Sequence, residues 1–340
     1  MKRVVVIGGG FAGSLVAKKL EREFDLTLID TKDYFEFTPG VLRFLVEPER
    51  AQKIQVLHSQ YLKMAKIVVG EVKKVDERKV YVEKKELLYD YLVICSGSRY
   101  ELPFKEQGVV VASRGKSLID SCDRLKNAKR VVLVGGGLVG VELAGEIVGM
   151  YGGKKKITII HSGEQLIERN GKRAVVYVER YLKGKGVEVV YGKRVQNVKN
   201  GFCLTDKGTK FKADMVFLCT GITPNFEFLP CEWLDGKGVG VNEFLQVRGR
   251  EGIFAAGDVT SVVEEKTAQN AEKQAEVVVR NICALDAGNH LERYINKRRP
   301  ILISLGEGQG VLDSSGLVLT GRIPAVMKLF VEWNEMRKKR

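Results

Sequence analysis

One glycine pattern occurs twice in this chain. RVVVIGGGFAGSLVAKKL opens it at residues 3–20, and RVVLVGGGLVGVELAGE repeats the pattern at residues 130–146. In each copy a run of Val, Ile and Leu leads into Gly-x-Gly-x-x-Gly, and a helical pattern comes next. Such an apolar run reads as a parallel strand buried on both faces. The glycines then have separate tasks: Gly8 and Gly135 make the tight turn, and Gly10 and Gly137 let backbone approach a pyrophosphate. Gly13 and Gly140 let helix and strand pack closely. Phe11 and Ala12, like Leu138 and Val139, open the helices whose positive ends would face the phosphates.

Beyond the two turns the copies diverge. After the first helix, FDLTLID reads as a second strand ending in Asp30. A carboxylate about twenty residues past the turn completes the dinucleotide fingerprint, because it accepts hydrogen bonds from an adenosine ribose. After the second helix, KKITIIHSG puts His161 and Ser162 at the equivalent place. An acid there would favour the free 2′-hydroxyl of NADH over the extra phosphate of NADPH, and its absence leaves both donors open. Two dinucleotide folds in one chain allow one nucleotide to stay bound while the other exchanges. FAD with NADH or NADPH is the natural pair, since a flavin converts a hydride donor into a source for one- or two-electron acceptors.

The rest of the sequence narrows the class. At 340 residues the chain is long enough for two or three domains. It lacks an apolar run of membrane-spanning length. The strand pattern begins at Arg3, leaving no room for a signal peptide, so the expected location is cytoplasmic or peripheral on a membrane. The net charge of +14 fits either a polyanionic partner or a charge-rich solvated surface. The sharpest local excess is Arg337–Arg340. The sequence has no helix-turn-helix or zinc module, which argues against nucleic acid as a partner. Six cysteines form no Cys-x-x-Cys pair, and the three histidines are scattered, so no metal site is expected.

Farther along, GIFAAGD ends in Gly257 and Asp258. With this motif the chain resembles the pyridine nucleotide-disulfide oxidoreductase superfamily, from Lys2 to about Ala284. Five motifs carry the resemblance in order: Gly8–Gly13 with Asp30, YLVICSGS, Gly135–Gly140, VFLCTGITPN and IFAAGD. It implies an α/β fold of two Rossmann-like dinucleotide-binding domains plus a short C-terminal region. The FAD domain would be discontinuous, residues 1–107 and 247–295, with an NAD(P)H domain inserted at 108–246 and a C-terminal region at 296–340. By the same resemblance Asp258 bonds the FAD ribitol, Gly97 packs near FAD, and Gly221 lies by the NAD(P)H site. Further cofactor contacts are expected from Thr31, Lys32, Pro39, Arg43, Val72, Cys95, Ser96, Gly257, Ala268 and Thr220. TAQNAEKQAEVVVRNICAL has helical spacing, with Ala271, Ala275, Val278 and Ile282 on one face. Its N-terminus would stabilise negative charge at the flavin pyrimidine.

The stretch DTKDYFEFTPGVLRFLVEP lacks the redox cysteines of disulfide reductases. The chain instead resembles type II NADH dehydrogenases and apoptosis-inducing-factor-like NAD(P)H:quinone oxidoreductases of the ferroptosis-suppressor type. The implied chemistry is hydride transfer from NAD(P)H to the flavin N5, then electron transfer to a quinone-like acceptor. Glu142 would position the donor. Gln269 and Lys273 fall on the two glutamine positions beside the quinone in type II dehydrogenases, the second with lysine in place of glutamine. The rivals are a soluble reductase of a small redox protein or of oxygen, and a redox-responsive flavin-bearing binding protein. The family also suggests a homodimer. In PAVMKLFVEWNEMRKKR, Val326, Leu329, Phe330, Trp333 and Met336 fall at helical spacing before the basic run. That stripe fits either an anionic membrane surface or packing on the protein itself.

Overall fold

The computed structural model describes residues 1–100, 114–314 and 316–340. Its first sheet has five parallel strands in the order Ile253–Ala255, Tyr91–Ile94, Arg3–Ile7, Asp25–Asp30, Lys66–Val69. The Val4–Ile7 side chains are buried on both faces, which is why this strand reads as continuous Val and Ile rather than as an alternating pattern. Helix Phe11–Leu20 follows its turn and packs against helix Ala268–Asp286. The predicted apolar face of the latter is buried at Ala271, Ala275, Val278 and Ile282.

The second copy builds a separate parallel sheet of four strands, in the order Glu188–Val190, Lys156–Ile160, Arg130–Val134, Met215–Leu218. Strand Ile253–Ala255 then returns to the first sheet, so the first sheet is built from chain on both sides of the second. The expected boundary at residues 107 and 108 lies outside the described residues. Each unit also carries a three-stranded antiparallel sheet, with edges at Val72–Val75 and Val195–Lys199.

The final segment forms a third layer. Strands Ile301–Ser304, Gly310–Ser314 and Leu317–Gly321 make an antiparallel sheet, and the last helix, Arg322–Lys338, packs on it. This layer meets helix Leu138–Tyr151 at very close range. A Cβ on Gly145 would lie 2.6 Å from the Leu305 backbone, so only glycine lets the loop approach there. Among the described residues, no helix is long and apolar enough to cross a membrane.

Candidate functional site

The two glycine turns have nearly the same geometry. Gly8 and Gly135 have φ of +96° and +111°, a region other residues rarely adopt. A Cβ on Gly13 would lie 1.8 Å from the Gly8 carbonyl oxygen, and one on Gly140 would lie 2.0 Å from that of Gly135. Gly10 and Gly137 instead face open space, with nothing within 4 Å of a built Cβ. Each turn therefore presents bare backbone to a cradle at a helix N-terminus, the arrangement that accepts a pyrophosphate. Phe11 sits against Phe35 and Phe37, Ala12 is buried, and Leu138 and Val139 are half-buried.

The strand ends diverge. Asp30 lies beside the first turn, and the ring of the fully buried His58 backs it, with Nε2 3.1 Å from the Asp30 Oδ2. Burial works against the Asp30 charge, but the His58 hydrogen bond and the charge of Lys32 outweigh it and hold the carboxyl below its usual range. His58 Nδ1 lies 2.6 Å from the Tyr61 hydroxyl. Burial, then the Asp30 charge, pushes the Tyr61 phenol far up, so it keeps its proton and donates it to Nδ1. Thr31 donates weakly to Asp30 at 3.4 Å, and Gly70 donates its N–H to the Asp30 carbonyl two residues before the buried Val72.

At the second turn the Gly136 N–H donates to His161 Nδ1 at 3.1 Å, tying the strand end to the turn itself. That bond leaves the proton on Nε2, which lies 3.6 Å from the Glu168 carboxylate, beyond hydrogen-bond range. Glu168 is half-exposed, and its carboxylate lies over Gly163, where a built Cβ would be only 1.7 Å from Oε1. Ser162 is exposed.

The motifs YLVICSGS and VFLCTGITPN meet at the seam between the sheets. Strand Ser98–Arg99 pairs antiparallel with Thr223–Pro224. Ser96 Oγ donates to the Asn225 carbonyl at 2.6 Å, and Asn225 Nδ2 donates back to the Ser96 carbonyl at 2.9 Å. Gly97 and Gly221, at φ +65° and +111°, both face open space, and Thr220 beside Gly221 is exposed. Ser98 Oγ donates to Asp258 Oδ2 at 2.6 Å. Burial raises the Tyr100 phenol, and the nearby charges of Asp258 and Glu142 raise it further.

Gly257 is held by a buried side chain that the spacing does not single out. Gln274 Oε1 accepts the Gly257 N–H at 2.7 Å, and its amide donates to Glu264. Gln269 and Lys273 both face solvent, and Lys273 pairs with Glu276 at 2.7 Å. The inward-turned glutamine is therefore Gln274, one residue past the expected position. Ala268 begins the helix, after Thr267 Oγ1 has accepted the Asn270 N–H as its cap.

Glu142 is buried, and the third layer holds it: its Oε1 accepts the Ser304 N–H at 2.8 Å and pairs with the Lys328 ammonium. Burial raises the carboxyl of Glu146 above its usual range, and it accepts the Ser304 hydroxyl at 2.6 Å. Arg43 pairs with Glu47 at 2.9 Å, and Pro39 lies within the short turn Thr38–Gly40 under the last helix. Sequence spacing points to neither Lys328 nor His58. His58 reaches Asp30 only because strand Gln55–Leu57 pairs back on Tyr34–Glu36, a contact without local periodicity.

On the last helix Val326, Leu329, Phe330 and Trp333 are exposed, as is Ile323, whereas Met336 is buried; the expected five-residue stripe therefore has one inward member. The basic run is not a free cationic tail. Arg337 lies over the Trp333 ring, Lys338 pairs with Glu335, Lys339 is buried, and Arg340 donates to the Gln52 carbonyl.

All six cysteines are unpaired. Burial pushes the Cys95 and Cys219 thiols to about 12, where they act as small apolar side chains beside the two turns and not as nucleophiles.

Comparison with known proteins agrees with this geometry. The family model for pyridine nucleotide-disulphide oxidoreductases matches residues 2–275. Apoptosis-inducing factor homolog B of Dictyostelium discoideum is 32% identical, over 96% of this chain and 93% of its own. Ferroptosis suppressor protein 1 of Homo sapiens is 31% identical, over 98% and 96%. Among solved structures, the sulfide:quinone oxidoreductase of Aquifex aeolicus superposes with a TM-score of 0.84 at 19% identity, covering 100% of this chain and 92% of that one. NDH2 of Plasmodium falciparum in complex with NADH gives 0.83 at 16%, covering 100% and 96%. With a bare-backbone phosphate cradle on each of its two parallel sheets, the chain belongs to the pyridine nucleotide-disulphide oxidoreductase family and is an FAD-dependent NAD(P)H dehydrogenase.

Proposed function

We propose that this dehydrogenase delivers its electrons to a quinone at a membrane surface. The exposed apolar face of the last helix carries this reading. Ile323, Val326, Phe330 and Trp333 are 67%, 63%, 61% and 52% exposed, on a helix whose Lys328 reaches Glu142 at the seam. A contiguous apolar face of this kind marks an interaction site, and one that lies beside Arg322 and Arg337 suits an anionic bilayer. The sulfide:quinone oxidoreductase superposition is in keeping with a quinone acceptor.

When bound, FAD supplies the redox chemistry, accepting a hydride from NAD(P)H and releasing electrons to the acceptor. The residues of this chain bind, orient and exclude. The first turn, Asp30, Ser96, Gly97, Gly257 and Asp258 hold FAD, with Thr31, Lys32, Pro39, Arg43, Val72 and Cys95 around it. The second turn, His161, Ser162, Thr220 and Gly221 hold the donor. These assignments correspond to domains at 1–107 with 247–295 and at 108–246. Glu142 is fixed by Ser304 and Lys328, so it positions the donor from a set geometry rather than as a mobile base. The Ala268–Asp286 helix begins beside Gly257 and brings its positive end to the redox centre.

The test is flotation of the holoprotein with anionic vesicles containing a short-chain quinone, alongside NADH:quinone turnover. The wild type is expected to float and turn over, and Phe330→Asp with Trp333→Asp to lose flotation while reduction by NADH in solution persists. A protein that ignores vesicles, rejects quinone and reduces a small acidic redox protein would replace this reading with that of a soluble carrier reductase.

A further inference from the structure

The last turn of the chain enters the first nucleotide site from behind. Lys339 is 5% exposed, and its ammonium donates to Ser14 Oγ at 2.6 Å, with the Phe35 ring centroid 4.7 Å away and that of Tyr61 5.4 Å away. Ser14 is fully buried on the helix after the first glycine turn. Ser14 Oγ in turn donates to the Phe11 carbonyl at 3.3 Å, and the ammonium it seats reaches the next residue through the face of the Tyr61 ring. Tyr61 then donates to His58 Nδ1 at 2.6 Å, and His58 Nε2 donates to Asp30 at 3.1 Å. The middle glycine, Gly9, makes room for this pair, since a Cβ there would lie 2.5 Å from both Asp30 Oδ2 and His58 Cε1.

We propose that Lys339, seated by Ser14, is a positioning residue for FAD binding, fixing Asp30 through the buried relay Tyr61 and His58. The relay makes seating of the last helix part of the first nucleotide site, although the two are more than 300 residues apart in sequence. Burying an ammonium costs free energy unless its protons are satisfied. Here burial pulls Lys339 down to about 8, while Glu272 and Glu335 support its charge against Lys18 and Lys338. A lysine serving only to attach the helix could remain at the surface, as Lys338 does on Glu335. Lys339 instead ends between the Ser14 hydroxyl and the face of Tyr61, whose own hydroxyl holds His58. A single such bond transmitted through a closed network corresponds to about a tenfold change in affinity.

This inference rests on the reading of Asp30 as the FAD ribose acid, and the experiment separates the two. FAD dissociation from the holoprotein is followed by recovery of free-flavin fluorescence, and the ring nitrogens of the three histidines by ¹⁵N NMR. Lys339→Met is expected to release FAD about tenfold faster and to shift the His58 Nδ1 signal while His161 and His290 stay in place. Arg340→Ala, which removes only the tail contact with Gln52, is expected to do neither. If Lys339→Met fails to fold, Ser14→Ala removes the acceptor that seats the ammonium over Tyr61, and the same His58 shift supports the proposal. An unmoved His58 signal and an unchanged FAD off-rate in these variants overturn it. Should Asp30→Asn nevertheless lose FAD, the reading of the first turn stands without the relay. Should Asp30→Asn retain FAD fully, that reading itself fails.

Discussion

The two glycine turns agree to within a few tenths of an ångström where helix meets strand, and they part company one strand later. At the first, the strand end carries a carboxylate backed by a fully buried histidine, which a buried tyrosine backs in turn. At the second, a histidine folds back on the turn, and the carboxylate beside it is that of half-exposed Glu168. Shared glycine geometry defines what can dock, a pyrophosphate on a helix end. The packing behind the strand end defines how firmly it stays. A closed, buried network suits a resident cofactor, and an open, solvent-facing one suits a nucleotide that must leave every cycle.

The comparison breaks most severely at the glycines. Gly13→Ala forces a Cβ to 1.8 Å from the Gly8 oxygen, so the helix must move off the strand. The expected cost is above about 3 kcal/mol, and the protein should purify without flavin, read directly from its visible absorbance. A yellow Gly13→Ala protein would show that the first turn does not carry FAD.

Next in size is donor choice. Glu168 lies against His161, close to the position where an acid would repel the 2′-phosphate of NADPH. Glu168→Arg should move the ratio of kcat/KM for NADPH over NADH upward by about tenfold or more, as expected for exchanging a repulsive for an attractive charge partly screened by solvent. An unchanged ratio would mean that the second strand end does not read the ribose at all.

The smallest expected effect sharpens the chemistry. Cys231 is the exposed cysteine, and Cys95 and Cys219 are buried and hard to ionise. Cys231→Ser should leave NADH-dependent turnover within about twofold. A large loss would reinstate thiol chemistry in a chain read as lacking an active-site disulfide.

The parts of this arrangement legible in the sequence are those with local periodicity. The strand–turn–helix units and the apolar face of helix Ala268–Asp286 arise from patterns within about twenty residues, whereas the CSGS and CTGITPN loops are legible through the family resemblance and pair across more than a hundred residues. His58 is out of reach of such patterns because an antiparallel return pairing, not spacing, brings it to Asp30. Gln274 is displaced by one residue because the helix turns it, and not Lys273, inward toward Gly257. The basic run Arg337–Arg340 reads as a surface charge cluster, yet Lys339 lies inside the first unit, since only tertiary packing supplies a cavity for its stem and an acceptor for its head.

The division of labour between the turns is tested most directly by anaerobic titration with NADH, then NADPH, comparing the wild type with Gly140→Ala and following the flavin visible band. A Cβ on residue 140 lies 2.0 Å from the Gly135 oxygen, as damaging to the second turn as Gly13→Ala is to the first. The wild type should be bleached by at least one donor, and the Gly140→Ala protein should keep its yellow colour but be bleached by neither. A Gly140→Ala protein that loses its flavin, or that bleaches at the wild-type rate, would contradict this division.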